Sequence, residues 1–256
     1  MLELSMVNGT MVHWLSPLRS RDRANWIRWV KANLIGGILG WIFIAVSMIT
    51  TLGFSLFACW LIVGPCVAGA QYIVISEHIN NFPLKKSASM GAGIWIMSAT
   101  LGMLGVLICY YEIPGLLFHK MAKLYIELGL SKETITFIDT SLGFASGGLL
   151  YGAIQGMTLR NPRALAMWCA LSTLGWGIGA TLGTQTAQIV MNLLRGEQFQ
   201  LAAGYVLGPF DALYFACAGI TGTFIFGLIT GVFISHLPSQ PAYTQDKSQT
   251  ARNDPA

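Results

Sequence analysis

GGLLYGAIQGMTLRNPRALAMWCALSTLGWGIGATLG, residues Gly147–Gly183, is the stretch that decides the fold. Gly148, Gly152 and Gly156 recur every fourth residue on its first arm, and Gly175, Gly179 and Gly183 do so on its second. Residues four apart share one face of an α-helix. A face without side chains lets two helix backbones approach closely, which is how helices associate in a membrane. The alternative use of such a face is to make room for a ligand or pigment or to line a pore. Between the arms stands the polar, basic turn Arg160-Asn161-Pro162-Arg163. The pattern predicts two apolar helices, one leading to the turn and one leading away.

Composition extends this reading to the whole chain. Of 256 residues, 54% are hydrophobic and 10% charged, against about 25% charged in soluble domains. Residues 32–76 and 164–194 contain no Asp, Glu, Lys or Arg. A hydrocarbon core takes about 20 apolar residues as helix. Six segments reach that length: about 32–52, 54–76, 88–111, 137–159, 164–185 and 208–234. Backbone groups in lipid must bond within the segment, so spanning segments of this length are helices. The expected fold is all-α, a polytopic membrane helix bundle of six transmembrane helices.

The hairpin is written more than once. Trp29, Trp95 and Trp168 are each followed seven residues later by a glycine, Gly36, Gly102 and Gly175. WIMSATLG at Trp95 aligns with WCALSTLG at Trp168. When Gln71 is placed over Gln155, Gly64 falls on Gly148; GAIQGMTLRNP over GLITGVFISHLP puts Gln155 on Thr230 and Gly156 on Gly231. Such periodicity is expected of a supersecondary unit that buries its interface only against its copies. Three parallel helical hairpins are expected, unlike the inverted repeats of many transporters.

The 15 basic residues divide eleven to four. Arg19, Arg21, Arg23, Arg28, Lys31, Lys85, Lys86, Arg160, Arg163, Lys247 and Arg252 fall on one side of six spans; Lys120, Lys123, Lys132 and Arg195 fall on the other. The positive-inside rule places the first group, and both termini, in the cytoplasm. The expected organisation is a basic cytoplasmic segment over 1–31, a transmembrane domain over 32–236 and a disordered polar tail over 237–256. The expected site is the inner (plasma) membrane of a bacterium or another internal membrane. The start, MLELSMVNGTMVHWL, lacks the basic-then-apolar order of a cleavable leader.

In LLFHKMAKLYIEL, residues Leu117, Phe118, Met121, Leu124, Tyr125 and Leu128 fall on one helical face, and His119, Lys120, Lys123 and Glu127 face away. This predicts a short helix lying in the outer interface. Ile189, Val190, Leu193 and Leu194 predict a similar element, or an extension of the fifth helix. Trp26 and Trp29 are expected as interface anchors, and Trp95 and Trp168 as packing residues.

Polar groups within spans are the usual pointers to function, and few occur. The recurrent polar column Gln71, Gln155 and Thr230 is the candidate site. Its structural use is hydrogen bonding between helices; its functional use is solute coordination. Gly148, Gly152, Gly156, Gly175, Gly179 and Gly183 are expected to pack helices. Asp139 and Asp211 lie near the outer starts of their helices, where a carboxylate suits the helix dipole. The five cysteines stand singly in apolar spans, without metal or disulfide spacing. No HExxH, GxSxG or GxxxxGK[ST] motif occurs. No catalytic residue, cofactor, metal or nucleic-acid partner is expected; the expected partners are the bilayer, other membrane proteins or further copies of the chain.

GAIQGMTLR and WCALSTLGW, with their GxxQ…LR and W…SxLGW elements, resemble bacterial multi-pass membrane proteins of unassigned function, many of them cyanobacterial. The resemblance covers about Gly147–Gly183 and implies a polytopic membrane protein, with no residue roles to carry over. Mitochondrial carriers also have three hairpins, but their Pro-x-[Asp/Glu]-x-x-[Lys/Arg] signatures are missing here. The leading expectation is a packing, scaffold, assembly or accessory subunit. The alternative is a small-solute transporter or channel along the repeat axis.

Overall fold

The computed structural model describes residues 20–51, 56–78, 88–159, 161–195 and 209–236. Six α-helices occur among the described residues: α1 (Ser20–Thr51), α2 (Leu56–His78), α3 (Ala88–Glu127), α4 (Lys132–Gly156), α5 (Pro162–Arg195) and α6 (Pro209–His236). A short 3-10 turn, Met157–Leu159, follows α4. No strand occurs among the described residues. The first nineteen residues, Lys85, Lys86, Arg160 and the polar tail lie outside the described residues, and with them part of the expected charge asymmetry.

Local chemistry sets the described helix boundaries. At the α4–α5 turn the Asn161 side chain accepts from the backbone N–H of Arg163 (2.9 Å) and Ala164 (3.2 Å). Pro162 takes the first helical position, where its missing N–H costs nothing. At the other end α3 closes in a Schellman turn. Leu130 N–H reaches the Tyr125 carbonyl (3.1 Å) and Gly129 N–H the Ile126 carbonyl (3.0 Å). This requires Gly129 at φ +62°, a left-handed conformation natural only to glycine. Ser131 then caps α4 by accepting from Thr134 N–H at 3.2 Å.

Two expectations are corrected. α1 begins by Ser20, so Arg21, Arg23, Arg28 and Lys31 lie on its first turns rather than ahead of it. The segment from Leu117 to Leu128 is no separate interfacial helix, because α3 runs unbroken for 40 residues and takes in the segment up to Glu127. At 1.5 Å per residue that is about 60 Å, twice the hydrocarbon thickness. α5 likewise runs on through Ile189 and Leu194 to Arg195.

Among the described residues four helices are long and apolar enough to cross a membrane: Arg23–Ile44, Gly91–Ile113, Pro162–Arg195 and Phe210–Ile234. α2 adds a shorter apolar stretch, Ile62–Ser76. These are the proportions of a membrane protein.

Each helix packs on its neighbours in the chain, and α6 returns to pack on α1. The helices therefore close into a ring. Glycine lies at every one of its six contacts. A Cβ added at Gly36 would stand 2.6 Å from Val67 Cα, at Gly152 2.7 Å from Cys169 Cα, and at Gly147 2.5 Å from Val106 Cα. Gly64 meets Met103 across the α2–α3 contact, Gly179 the Gly222 carbonyl across α5–α6, and Gly227 Asn33 across α6–α1. The aromatic core fills the ring's interior. Trp29 of α1 and Trp95 of α3 both pack on Trp168 of α5, with centroids 5.9 and 6.0 Å apart. These helices are not ring neighbours, so the three indoles meet across the axis.

Candidate functional site

The polar column converges where the indoles meet. Gln71, Gln155 and Thr230 are all fully buried, with 0% exposure. Gln71 Nε2 donates to Asn33 Oδ1 at 2.8 Å, and Asn33 Nδ2 donates to the Trp29 carbonyl at 2.9 Å. Trp29 Nε1 donates to Thr230 Oγ1 at 3.0 Å, and the Thr230 hydroxyl donates to the Phe226 carbonyl at 2.7 Å. A chain of hydrogen bonds thus ties α2 to α1 and α1 to α6. Trp29 is a buried hydrogen-bonding core residue, not the expected interface anchor. Trp26, half-buried, bonds the Leu228 carbonyl at 3.1 Å.

The column is not satisfied throughout. Apart from the Tyr151 hydroxyl, which bonds both glutamines, no group among the described residues partners either carboxamide atom of Gln155 or Gln71 Oε1. Trp95 Nε1, Trp168 Nε1 and Ser172 Oγ are buried and unpartnered as well. Tyr151, one turn before Gln155 on α4, brings its hydroxyl beside both glutamines. Its ring packs edge-on against Trp176 and, across the ring of helices, against Phe226, at 5.9 and 5.8 Å. Each unpartnered buried polar atom costs about 1–3 kcal/mol. A single hydroxyl cannot fill both amides, and a cluster so short of partners is a concentration that helix packing alone does not call for.

The predicted packing glycines divide between two interfaces. A Cβ at Gly148 would stand 2.5 Å from the Ser172 carbonyl and one at Gly156 2.6 Å from Leu165, so with Gly152 they seat α4 on α5. Gly175 faces Phe226, Gly179 the Gly222 carbonyl and Gly183 the Ala218 carbonyl, seating α5 on α6. They bound the polar cluster without forming it.

Two cavities lie in the half of the ring toward the α3–α4 turn. A cavity of about 540 Å³ is lined by Lys132, Glu133, Thr136, Thr140, Gln185 and Gln188, among others. A chamber of about 90 Å³ lies among Trp41, Val63, Met103, Phe144, Trp176 and Phe215. Tyr110, Thr184 and Tyr214 line both, so the two adjoin. Trp176 in turn lines the chamber and packs on Tyr151. From the turn inward the order is polar vestibule, apolar chamber, Tyr151, then glutamines and indoles.

The two predicted aspartates behave differently. Asp211 stands in the first turn of α6. Asp139 lies two turns inside α4, 5% exposed, and accepts from the Tyr125 hydroxyl at 2.7 Å. That bond, then burial and the carboxylate's charge, hold the Tyr125 phenol above its ordinary pKa. The first turn of α4 belongs instead to Glu133, held below the ordinary carboxylate value by backbone N–H and the Ser131 hydroxyl.

Sequence reading passed over Asn33, Tyr151 and Ser172. Asn33, Tyr151 and Ser172 each lie within an expected span and fall outside the recurrent Gln71, Gln155 and Thr230 column. No group of three metal-ligating side chains occurs among the described residues. Comparisons of the chain with protein-family models, curated proteins and solved structures find no match.

Proposed function

We propose that the ring is a six-span membrane protein of three parallel hairpins that binds and passes a small solute along its axis. The observation that carries this reading is Gln155, fully buried with only the Tyr151 hydroxyl, shared with Gln71, to satisfy its carboxamide. A purely structural amide would be bonded throughout, since buried polar groups almost always are. The adjoining vestibule and chamber support an approach from the side of the α3–α4 turn.

The repeat is supported by equivalent contacts. Gly36, Gly102 and Gly175 each seat an odd helix on the even helix that follows, against Val67, Tyr151 and Phe226. Charge places the basic turns and both termini in the cytoplasm, so the vestibule opens outward. A bacterial inner or other internal membrane fits the resemblance carried by Gly147–Gly183. We assign no catalytic group; passage of solute needs none.

Flux into reconstituted vesicles tests this reading. Purified protein should raise solute entry above that of protein-free vesicles, and a Gln71→Ala/Gln155→Ala double variant that still folds should lose that rise. Unchanged flux in the double variant removes the column from the mechanism.

A second reading, an accessory or assembly subunit, is supported by the outer ends of α3 and α5. Ile126 and Leu193 are each 78% exposed there, although their helices have already spanned the hydrocarbon. Blue-native electrophoresis of native membranes discriminates: migration solely as a monomer or homo-oligomer counts against a partner.

A further inference from the structure

We infer that the axis is selective for a small uncharged solute bearing both hydrogen-bond donors and acceptors, of the class of urea and short amides. This rests on the proposed passage along the axis and states what passes.

The first argument is the chemistry left open at the glutamines. Beyond what the one Tyr151 hydroxyl can fill, the groups left open are acceptors on Gln71 and Gln155, donors on Gln155, Trp95 and Trp168, and the two-way hydroxyl of Ser172. All are neutral at any physiological pH. The proposed repeat explains their location. At one contact between copies, α1 on α6, the indole bonds the neighbouring copy's column residue, Trp29 to Thr230 at 3.0 Å. At the other two such contacts, α3 on α2 and α5 on α4, the column residue is a glutamine, and the indole N–H of Trp95 or Trp168 is unpartnered. A molecule with a carbonyl or hydroxyl oxygen and an N–H or O–H can accept from an indole or from Gln155 Nε2 and donate to Gln71 Oε1. An ion can satisfy only one polarity.

The second argument is the route. The chamber is lined by Trp41, Phe144, Trp176 and other uncharged residues, with no Asp, Glu, Lys, Arg or His among its lining. The charges at the vestibule, Lys132 and Glu133, are of opposite sign and exposed. An ion entering the chamber would shed its water with no counter-charge in return, a cost far above that of a neutral polar group. A neutral solute loses fewer contacts there and regains hydrogen bonds at the glutamines.

The third argument is size. A dry protein cavity of about 150 Å³ holds benzene. In proportion, a chamber of about 90 Å³ holds about four heavy atoms, which is urea.

Stopped-flow light scattering on vesicles carrying the full chain tests the inference with urea, formamide and acetamide gradients, alongside potassium and chloride flux. The neutral solutes should enter at least about tenfold faster than into protein-free vesicles, and the ions should not. Gln155→Met keeps the volume and removes both polar atoms; it should lower neutral-solute entry by about tenfold while gel filtration and tryptophan fluorescence remain those of the folded protein. Ser172→Ala is the second variant, expected to change the ratio of urea to acetamide entry. Ion entry exceeding neutral-solute entry overturns the selectivity and leaves axial passage standing. Absence of protein-dependent entry of every probe overturns passage itself, and the selectivity with it.

Discussion

Trp29 and Thr230 show how one hydrogen bond changes the reading of a residue. Beside Arg28 and Lys31, Trp29 has the sequence context of an interface anchor; its burial follows from a partner 201 positions away, which no local pattern announces. Thr230→Val should leave the buried indole N–H unpaired and cost about 1–3 kcal/mol. Thr173→Val is the control, since its hydroxyl bonds only the Cys169 carbonyl of its own helix, at 2.8 Å. Thermal unfolding in detergent should show a clear loss for the first and little for the second; equal losses would deny Thr230 its bridging role. Gln155 gives the opposite expectation. Its amide has only the Tyr151 hydroxyl, shared with Gln71, so Gln155→Met should leave the melting temperature unchanged or raised while solute entry falls. Sites that hold open polar groups commonly trade stability for activity. A large drop in melting temperature would instead mark Gln155 as a structural residue.

At the scale of the element, glycine spacing was legible and its partners were not. The period of four told which residues share a face; only the ring reveals that Gly152 meets α5 while Gly179 meets α6. Gly152→Ala places a methyl group 2.7 Å from the Cys169 backbone, which cannot move aside as a side chain can. It should cost about 1–3 kcal/mol of overpacking. Gly93→Ala meets nothing within 4 Å and should lie within about 1 kcal/mol of the parent, since alanine is the better helix former. Thermal unfolding of the two variants side by side checks the contrast. Asn161-Pro162 was a readable helix start because cap and first-turn proline act locally. The outer end of α3 was not: Glu112 and Gly115 resemble terminators, yet the reversal waits for Gly129 at φ +62°.

The first turn of α4 carries a pH prediction. The folded protein holds Glu133 below its ordinary pKa of 4.5. A depressed carboxyl stabilises the fold above the unfolded value and loses that contribution as pH falls through the folded one. Amide-exchange protection of the turn at Thr134 and Ile135 should therefore fall as the medium is acidified below about 4.5, and Glu133→Gln should remove that pH dependence. Persistence of the same pH profile in Glu133→Gln would assign it to another group.

At the scale of the whole molecule, composition alone made the membrane class readable, because lipid imposes length and apolarity on every span. Ring closure was beyond it. The packing of α6 on α1 joins the two ends of the helical chain, and the meeting of Trp29, Trp95 and Trp168 depends on that closure. So does the gathering of Gln71 and Gln155 around the Tyr151 hydroxyl, which brings two scattered polar residues into one candidate site. The central claim is that this gathering forms part of a hydrated path rather than a dry seam between helices. The direct measurement is thiol reactivity at position 155. In a chain cleared of its native cysteines, Gln155→Cys is treated with neutral methyl methanethiosulfonate in vesicles and compared with a cysteine at the exposed Leu149. The thiolate is the reacting species and needs water, so a hydrated axis predicts reaction at least roughly tenfold faster at 155 than at 149, slowed by added urea. Reaction at 155 no faster than at 149 would contradict the account.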